Sequence, residues 1–393
     1  MAERDCVPWL EVRMTATEEI QLRRGLTGVY LDRTESCFID GTVGKLQYRG
    51  YDIHELAEQS TFEEVVYLLL NGKLPIQKEL DAFDAQLRSD RTIPDEVMGI
   101  IETVKSSHPM DVLRTAISAL SAFEPEVGDN SIEATIRKGL RLTAQAPTII
   151  TAHDRIRKGL SPMEPNSNLN HAGNFLYMLF GKEATEEEIQ LMDVDFILHA
   201  EHGANASAFA ARVVASTMSD LHSAVVAGIS TLKGPAHGGA AEEVMKMAEE
   251  IGTPDKAEAY ARNLLDGGGR VMGFGHRVYK AEDPRARHLR ERSKNLGETR
   301  GQPQWYQILE KLQEVMKPYG QRGIHVNVDF FAGSIYYLMG VPDDMFIPIF
   351  ALGRIPGWTL NVAEQFARNI LIRPLMEYTG PMDVPYVPIS QRK

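Results

Sequence analysis

Two histidines stand in glycine-rich segments, where a protein backbone can approach a small ligand closely. The first is His237, in the run Gly234-Pro-Ala-His-Gly-Gly239, which leads into a predicted helix at residues 240–251. The positive end of a helix disfavours an imidazolium, so we expect a neutral imidazole that donates a hydrogen bond. The alternative interpretation is that His237 only caps the helix.

The second histidine, His276, follows the run Gly273-Phe274-Gly275 and precedes Lys280. The glycines would let a ligand lie against the backbone while the histidine and lysine contact its polar groups. A basic surface loop is the alternative interpretation. It would not explain two glycines that flank an aromatic residue directly before a histidine.

One acidic residue, Asp329, lies among apolar residues in the run Asn327-Val-Asp-Phe-Phe331. Burial raises the pKa of a carboxyl group and makes its carboxylate a stronger base than a solvated one. Asp329 is therefore a candidate general base. The alternative is a helix N-cap, a common role for aspartate.

His199 and His202 are three residues apart, with Glu201 between them, and would share one face of a helix. They could cap the last carbonyl groups of that helix, hold a metal ion, or donate to a carboxylate or carbonyl of a substrate. The metal interpretation lacks the usual i, i+4 spacing and a clear third ligand.

Composition excludes several classes of partner. The 393 residues include 42 basic and 54 acidic ones, for a net charge of −12. Such a chain is a poor candidate for binding nucleic acid or an anionic membrane surface, whereas a few buried arginines could still bind a small anion. The two cysteines, Cys6 and Cys37, form no CxxC pair and fit a reducing, cytoplasmic location. No apolar run is long enough to span a bilayer.

The residue pattern is helical along most of the chain. Short β-prone runs occur only at residues 28–31, 36–39 and 45–48, and strands that alternate with helices are absent. Helix starts are predicted at Ser131 and Thr185, where a small polar residue precedes acidic ones.

Near the C-terminus the pattern predicts two helices, at about residues 343–352 and 357–371, with glycine and proline between them. Length predicts roughly two domains. The fold class expected is therefore all-α, with a short β-hairpin region near the N-terminus.

Taken together, these segments resemble the citrate synthase family, in its short bacterial form. Residues 273–285 are similar to the family signature, and the other candidate segments fall where that family has its remaining active-site segments. Further similar segments are Asp40-Gly41, residues 48–53, residues 353–358, Glu364-Gln365 and Ile372-Arg373-Pro374. The resemblance extends from about Glu18 to Ile389.

The resemblance implies a helical fold of two domains, the smaller of which closes over the substrate. Residues 234–338 would form the small domain. Residues 1–233 and 339–393 would form the large one, with an N-terminal arm at residues 1–13.

The resemblance also implies a reaction, the condensation of oxaloacetate with acetyl-CoA followed by hydrolysis of citryl-CoA, without a metal or other cofactor. Asp329 would be the base, His237 would bind the enolate oxygen, and His276 would polarise the ketone of oxaloacetate. The residues implied in binding are, for oxaloacetate, His202, Arg285, Arg354 and Arg373, and, for CoA, Gly273, Phe274, Gly275 and Lys280.

In the family, the arginine matching Arg373 comes from the partner subunit, so a homodimer is implied. The apolar residues of the arm at residues 1–13 suggest contacts that build higher homo-oligomers.

Three other functions stay open at the level of sequence. 2-Methylcitrate synthase uses propionyl-CoA on the same scaffold, and one methylene in an apolar pocket is worth only about 1–3 kcal/mol of discrimination. The others are a helical scaffold or CoA-binding regulator without catalysis, and a metal hydrolase that uses His199 and His202.

Overall fold

The computed structural model describes residues 21–393, so the predicted arm at residues 1–13 lies outside the described residues. The chain divides into two compact units. One is formed by residues 34–372, and the other by the chain ends, described at 21–33 and 373–393. The predicted large and small domains both lie mostly within the first unit. The boundaries between these two domains, at residues 234 and 338, stay a prediction.

The unit of residues 34–372 is mainly α-helical, which confirms the predicted fold class. The helices described in it are α1 Ile53–Gln59, α2 Phe62–Asn71, α3 Gln77–Ser89, α4 Asp95–Thr103, α5 Pro109–Leu120, α6 Ile132–Arg157, α7 His171–Phe180, α8 Glu186–His199, α9 Ala206–Ser216, α10 Leu221–Leu232, α11 Ala240–Ile251, α12 Pro254–Asp266, α13 Ala286–Thr299, α14 Gln304–Met316, α15 Asp329–Leu338 and α16 Phe346–Ala367.

A small antiparallel sheet precedes the helices, with strands β1 (Cys37–Asp40), β2 (Lys45–Tyr48) and β3 (Tyr51–Asp52) in the order β1-β2-β3. The predicted strand at residues 28–31 is wrong. Those residues are exposed and pair with none of the described strands. β propensity alone does not form a strand without a partner strand or an apolar surface to cover.

The third strand follows a tight turn that the sequence pattern did not reveal. Arg49 and Gly50 both have positive φ angles, of 50° and 88°. Positive φ at both central residues is typical of the type I′ turn, whose twist matches that of the strands it joins. Tyr48 therefore pairs directly with Tyr51.

Both predicted helix starts are confirmed. Ser131 caps α6 by accepting the amide of Ala134, and Thr185 caps α8. At α8 the Thr185 hydroxyl accepts the Glu188 amide at 3.3 Å, while the Glu188 carboxylate accepts the Thr185 amide at 2.8 Å. This reciprocal pair is a capping box, which satisfies two amides that the helix itself cannot.

The two helices predicted near the C-terminus are one continuous helix, α16, which runs through Pro356. A proline inside a helix removes one hydrogen bond and costs about 3 kcal/mol. Nearly every residue of α16 is buried, so its packing outweighs this cost. The glycine at position 357 lets α16 approach the chain at the end of α8. A Cβ there would lie 2.2 Å from the carbonyl oxygen of Ala200, just after α8.

Two carboxyl groups, Glu63 of α2 and Asp193 of α8, are buried together. Asp193 accepts the amide of Phe62 at 3.2 Å, and Glu63 accepts the amide of His171 at 2.7 Å. Burial, and then the charge of Glu63, raise the pKa of Asp193 to about 8. Burial raises the pKa of Glu63 as well, so the pair of carboxyl groups favours holding a proton at neutral pH.

This raised pKa predicts how Asp193→Asn changes stability. The folded pKa exceeds the unfolded value of about 4, so the stability that wild-type Asp193 contributes is lost as pH rises toward and through 8. Asparagine still accepts the Phe62 amide but cannot ionise. We expect its melting temperature to match wild type at pH 5 and to exceed it by about 2 °C at pH 9. Circular dichroism checks this, with the exposed Asp81→Asn as control. Equal pH dependence in both variants would contradict the prediction.

Candidate active site

His237 lies in the turn between α10 and α11, three residues before α11 begins. Its Nε2 lies 2.9 Å from the hydroxyl oxygen of Ser207 and 3.3 Å from the Ser207 amide nitrogen, whose hydrogen points at it. A hydrogen on Nε2 would meet that amide head-on. Nε2 is therefore an acceptor, and the proton of the neutral ring is on Nδ1.

Two neighbours keep Ser207 in place beside His237. The indole nitrogen of Trp358 donates to the Ser207 hydroxyl oxygen at 3.1 Å. Asn205 caps α9 by accepting the amides of Ser207 and Ala208. Burial, and then the charge of Arg354, lower the pKa of His237 to about 4. The lowered pKa agrees with the expected neutral imidazole, and burial is its largest cause.

His276 has the opposite tautomer. Its Nδ1 accepts the amides of Val278 and Tyr279, both at 3.1 Å, so the proton of the neutral ring is on Nε2. Burial, and then Arg285, lower the pKa of His276 to about 4. The loop that follows His276 therefore fixes both the orientation and the protonation of this side chain.

His202 lies beside His276, three residues after the end of α8. The two ring centroids are 5.2 Å apart, and His202 Nε2 lies 3.1 Å from the hydroxyl of Tyr279. Burial, and then Arg285, lower the pKa of His202 well below its usual value. His202 is consequently a third neutral imidazole in the group.

Arg285 forms a buried, two-pronged ion pair with Asp283. The Nε–Oδ1 distance is 2.9 Å and the Nη2–Oδ2 distance is 2.7 Å. Burial alone would raise the pKa of Asp283, but Arg285 outweighs it and holds that pKa below its usual value. Asp283 was not among the site residues predicted from sequence. The pair fixes the orientation of the guanidinium and leaves Nη1 outside it.

Arg354 of α16 is buried, and its guanidinium carbon lies 4.8 Å from the centre of the Phe350 ring. Its Nε donates to the carbonyl oxygen of His199. Its Nη2 is buried without a hydrogen-bond partner among the described residues. A buried donor left unpaired is costly, and an anionic ligand would satisfy it.

Glu201 and Cys37 lie near Arg354, and neither was assigned to the site from sequence. Burial raises the pKa of Glu201 to about 7, although Arg354 lowers it. Burial also raises the pKa of the Cys37 thiol well above its usual value. Burial thus opposes the ionisation of both groups beside Arg354.

Asp329 is the first residue of α15 and does not cap it, so the N-cap interpretation is wrong. Its own amide donates to the Asn327 side chain at 3.2 Å. Burial raises the pKa of Asp329 to about 6, against the charges of His199 and Arg285, which lower it. The carboxyl group is thus a stronger base than a solvated aspartate but is still mostly ionised near pH 7.

The glycine run at residues 273–275 pairs with residues 325–327. The Gly275 amide donates to the His325 carbonyl at 2.8 Å, and the Asn327 amide donates to the Gly273 carbonyl at 3.0 Å. Gly273 has φ of 78°, and a Cβ there would lie 2.5 Å from the Phe330 ring. The predicted CoA-binding run and the segment leading to Asp329 are therefore joined.

Two predicted binding residues are exposed. The Lys280 side chain is exposed beside this run, while its amide donates to the carbonyl of Gly41 at 2.7 Å. Arg373 belongs to the unit of the chain ends, where it is exposed in a segment without helix or strand. The assignment of Arg373 to an active site stays a prediction.

The ring of Phe350 lies near His199 and His237, two of the candidates predicted from sequence. Phe350 itself was not predicted. Its ring centroid is 4.4 Å from that of His199 and 6.4 Å from that of His237. A single phenylalanine in an apolar helix carries no sequence signal. Neither does Tyr279, whose amide and hydroxyl contact His276 and His202.

Two further findings concern residues 21–393. No three histidine, cysteine, aspartate or glutamate side chains in this range are arranged to hold a metal ion. No helix in the same range has the length and apolar character needed to cross a membrane.

Comparisons with known proteins identify the relatives of this chain. The family model described as the citrate synthase C-terminal domain matches residues 25–375. The chain belongs to the citrate synthase family. It is 46% identical to a citrate synthase of Deinococcus radiodurans, over 95% of this chain and 99% of that protein. It is 40% identical to 2-methylcitrate synthase 1 of Corynebacterium glutamicum, over 95% of this chain and 99% of that protein.

A solved structure gives the same relationship in three dimensions. Citrate synthase of Thermoplasma acidophilum, in ternary complex with carboxymethyl coenzyme A and oxaloacetate, superimposes with a TM-score of 0.91 at 34% identity. The match covers 96% of this chain and all of that one. The family resemblance predicted from sequence is thus confirmed, and the chain is an enzyme of the acyltransferase type.

The turn between β1 and β2 supports the loop after His276, which leads to a prediction for Gly41→Ala. A Cβ at Gly41 would lie 2.3 Å from the carbonyl oxygen of Val278, so the loop must move. We expect catalytic activity to fall at least tenfold, about 1.4 kcal/mol in the barrier. Gly99→Ala in α4, where a Cβ meets nothing within 4 Å, is the matched control and should keep full activity. Steady-state assays measure both, and an unimpaired Gly41→Ala enzyme would contradict this role for the turn.

Proposed function

We propose that this chain condenses oxaloacetate with acetyl-CoA and hydrolyses the resulting citryl-CoA to citrate and CoA. Family membership supports this reaction. The observation that carries it is the pair of neutral imidazoles, His237 and His276, whose protons are on Nδ1 and Nε2 respectively. Two carbonyl oxygens must be polarised in this condensation, one on each substrate, and each imidazole supplies one donor.

In the first step, the carboxylate of Asp329 takes a proton from the methyl group of acetyl-CoA. The electron pair of that C–H bond forms the enolate, whose charge collects on the thioester oxygen. His237 Nδ1–H donates to this oxygen as its charge develops. A neutral donor suits the step because it stabilises the oxyanion without first requiring an extra proton.

In the second step, the enolate carbon attacks the ketone carbon of oxaloacetate. His276 Nε2–H donates to the ketone oxygen and delivers the proton that the new alkoxide needs. Water then hydrolyses the citryl thioester, releasing CoA. Imidazoles and arginines provide all the electrostatic stabilisation in this scheme, so it requires no metal ion.

Oxaloacetate carries two carboxylates, and buried arginines suit them because the guanidinium donates in a fixed, planar geometry. We assign the Nη2 of Arg354, the Nη1 of Arg285 and the ring of His202 to these carboxylates. Asp283 holds Arg285 in position through two hydrogen bonds. Gly273, Phe274 and Gly275 are assigned to CoA, with Lys280 beside them as a phosphate contact.

The alternative is 2-methylcitrate synthase, favoured by the 40% identity to the Corynebacterium glutamicum enzyme of that name. The two activities differ by one methylene in the acyl chain, about 1–3 kcal/mol of discrimination. Thiol release from acetyl-CoA and propionyl-CoA, each with and without oxaloacetate, tests both proposals. Higher kcat/KM for acetyl-CoA supports the first, and oxaloacetate-independent release would contradict both.

Asp329→Asn tests the proposed base. The amide cannot take the methyl proton, so we expect kcat to fall by at least about 100-fold, the lower end of general-base contributions. Oxaloacetate affinity, measured by calorimetry, should be nearly unchanged because the base acts on the other substrate. Near-normal turnover would mean that another group removes the proton.

We further propose that Arg373 completes the site of the partner subunit in a homodimer. Separate Asp329→Asn and Arg373→Leu dimers should both be inactive. When they are unfolded together and refolded, hybrid dimers should regain one intact site, because a two-fold interface completes the two sites reciprocally. Hybrids shown to form by native mass spectrometry but lacking activity would assign Arg373 to its own subunit or to no site.

A further inference from the structure

Glu201 has no role in the scheme above, although its neighbours along the chain do. Its side chain is fully buried, and it follows His199, whose carbonyl oxygen accepts from Arg354. The next residue is His202. Because Arg354 and His202 are both assigned to oxaloacetate, the segment of residues 199–202 sets the spacing between two groups that bind one substrate.

Asn361 of α16 holds the carboxylate of Glu201 in place. Its Nδ2 donates to Glu201 Oε2 at 3.0 Å and to the carbonyl oxygen of Gly357, one helical turn earlier, at 2.8 Å. A Cβ at Gly357 would lie 2.5 Å from the same Oε2, so a larger residue there would displace the carboxylate. The Glu201 side chain is thus seated against the backbone of α16 and held there by an amide.

The orientation of that amide is set by Arg212 of α9. The Nε of Arg212 donates to Asn361 Oδ1 at 2.8 Å. A guanidinium can only donate, so it faces the oxygen of the amide and the nitrogen is turned toward Glu201. Arg212 and Asn361 are both buried, where mismatched polar atoms are costly. The hydrogen bonds therefore run in one direction, from Arg212 through Asn361 to Glu201.

Glu364, also on α16, holds the other end of the Arg212 guanidinium. Nη2 of Arg212 donates to a Glu364 carboxylate oxygen. The same carboxylate accepts the Thr34 hydroxyl at 2.9 Å and the Glu35 amide at 3.0 Å. Arg212 is consequently fixed at both Nε and Nη2, which leaves its side chain little freedom to turn away from Asn361.

The backbone of the segment is held separately by Tyr48 of β2. The Tyr48 hydroxyl lies 3.2 Å from the carbonyl oxygen of Ile197 and 3.3 Å from that of Leu198, and it accepts the Glu201 amide at 3.3 Å. Tyr48 thus fixes the backbone of Glu201, and Asn361 fixes its side chain. Two independent elements, β2 and α16, converge on one residue.

We propose that Arg212 is a positioning residue for oxaloacetate, acting through Asn361 and Glu201. Its fixed direction of donation seats Glu201 and so holds residues 199–202 in the conformation that aligns His202 with Arg354. The proposal rests on the assignment of those two residues to oxaloacetate in the proposed function. Arg212 itself need not touch the substrate.

Asn361→Leu tests the link to Glu201, because leucine has a similar size but neither donor nor acceptor. We expect KM for oxaloacetate to rise about 10- to 100-fold, the upper value being the cost of a misplacement of about 1 Å. KM for acetyl-CoA at saturating oxaloacetate should change little, since His237 is held by Ser207 and not by this segment. Steady-state kinetics and calorimetric titration with oxaloacetate measure the two effects.

A pair of variants at Arg212 tests the direction of the hydrogen bonds. Arg212→Met removes the donor, which frees the Asn361 amide to turn, and should raise KM for oxaloacetate as Asn361→Leu does. Arg212→Lys keeps a group that can only donate and should recover most of the oxaloacetate affinity. The pair also serves if Asn361→Leu does not fold.

Asn174→Leu in α7 is the control for loss of a buried amide. Asn174 is buried, and its side-chain oxygen accepts the Asn166 amide at 2.8 Å. The substitution should lower the melting temperature and leave KM for oxaloacetate unchanged.

An unchanged KM for oxaloacetate in Arg212→Met, or an equal rise in both KM values, would overturn the proposal. So would an Arg212→Lys enzyme no better than Arg212→Met. Arg212 would then have a purely structural role. Failure of the proposed function looks different, because the wild-type enzyme would then lack oxaloacetate-dependent thiol release. The wild-type assay is therefore made before the variants are compared.

Discussion

Removal of ionisable side chains from water is the constraint on which this site depends. Burial lowers the pKa of His237 and of His276 to about 4, and it raises that of Asp329 to about 6. The same physical effect thus yields neutral donors and a strengthened base within one site. Helices α8 and α16 contribute to this burial by close packing, because a Cβ at Gly353 would lie 3.1 Å from the Cβ of His199.

Burial is useful only if each group is also oriented, and the structure assigns each one a partner. Ser207 directs His237, two backbone amides direct His276, and Asp283 directs Arg285. All of these contacts are made by groups of the chain itself. Donors that are oriented in advance need no rearrangement as charge develops, which is the main electrostatic advantage of an enzyme site over water.

The helical fold class, the caps at Ser131 and Thr185, and the candidate segments could be predicted from sequence, because each has a local signal. The continuity of α16 through Pro356 could not, since it depends on burial against other helices. Phe350 and Tyr279 were missed because nothing in their neighbouring residues distinguishes them from ordinary core positions. Asp283 had a signal, an Asp-Pro helix start beside an arginine, but only the structure reveals the ion pair.

The central claim is that two neutral imidazoles carry their protons on opposite ring nitrogens. Nitrogen-15 NMR of histidine-labelled enzyme measures this directly, with the signals assigned through His237→Gln and His276→Gln. At every pH between 6 and 8 the account predicts that both rings are neutral, with the single ring proton on Nδ1 in His237 and on Nε2 in His276. Imidazolium signals from either residue in that range, or the same tautomer in both, would contradict it.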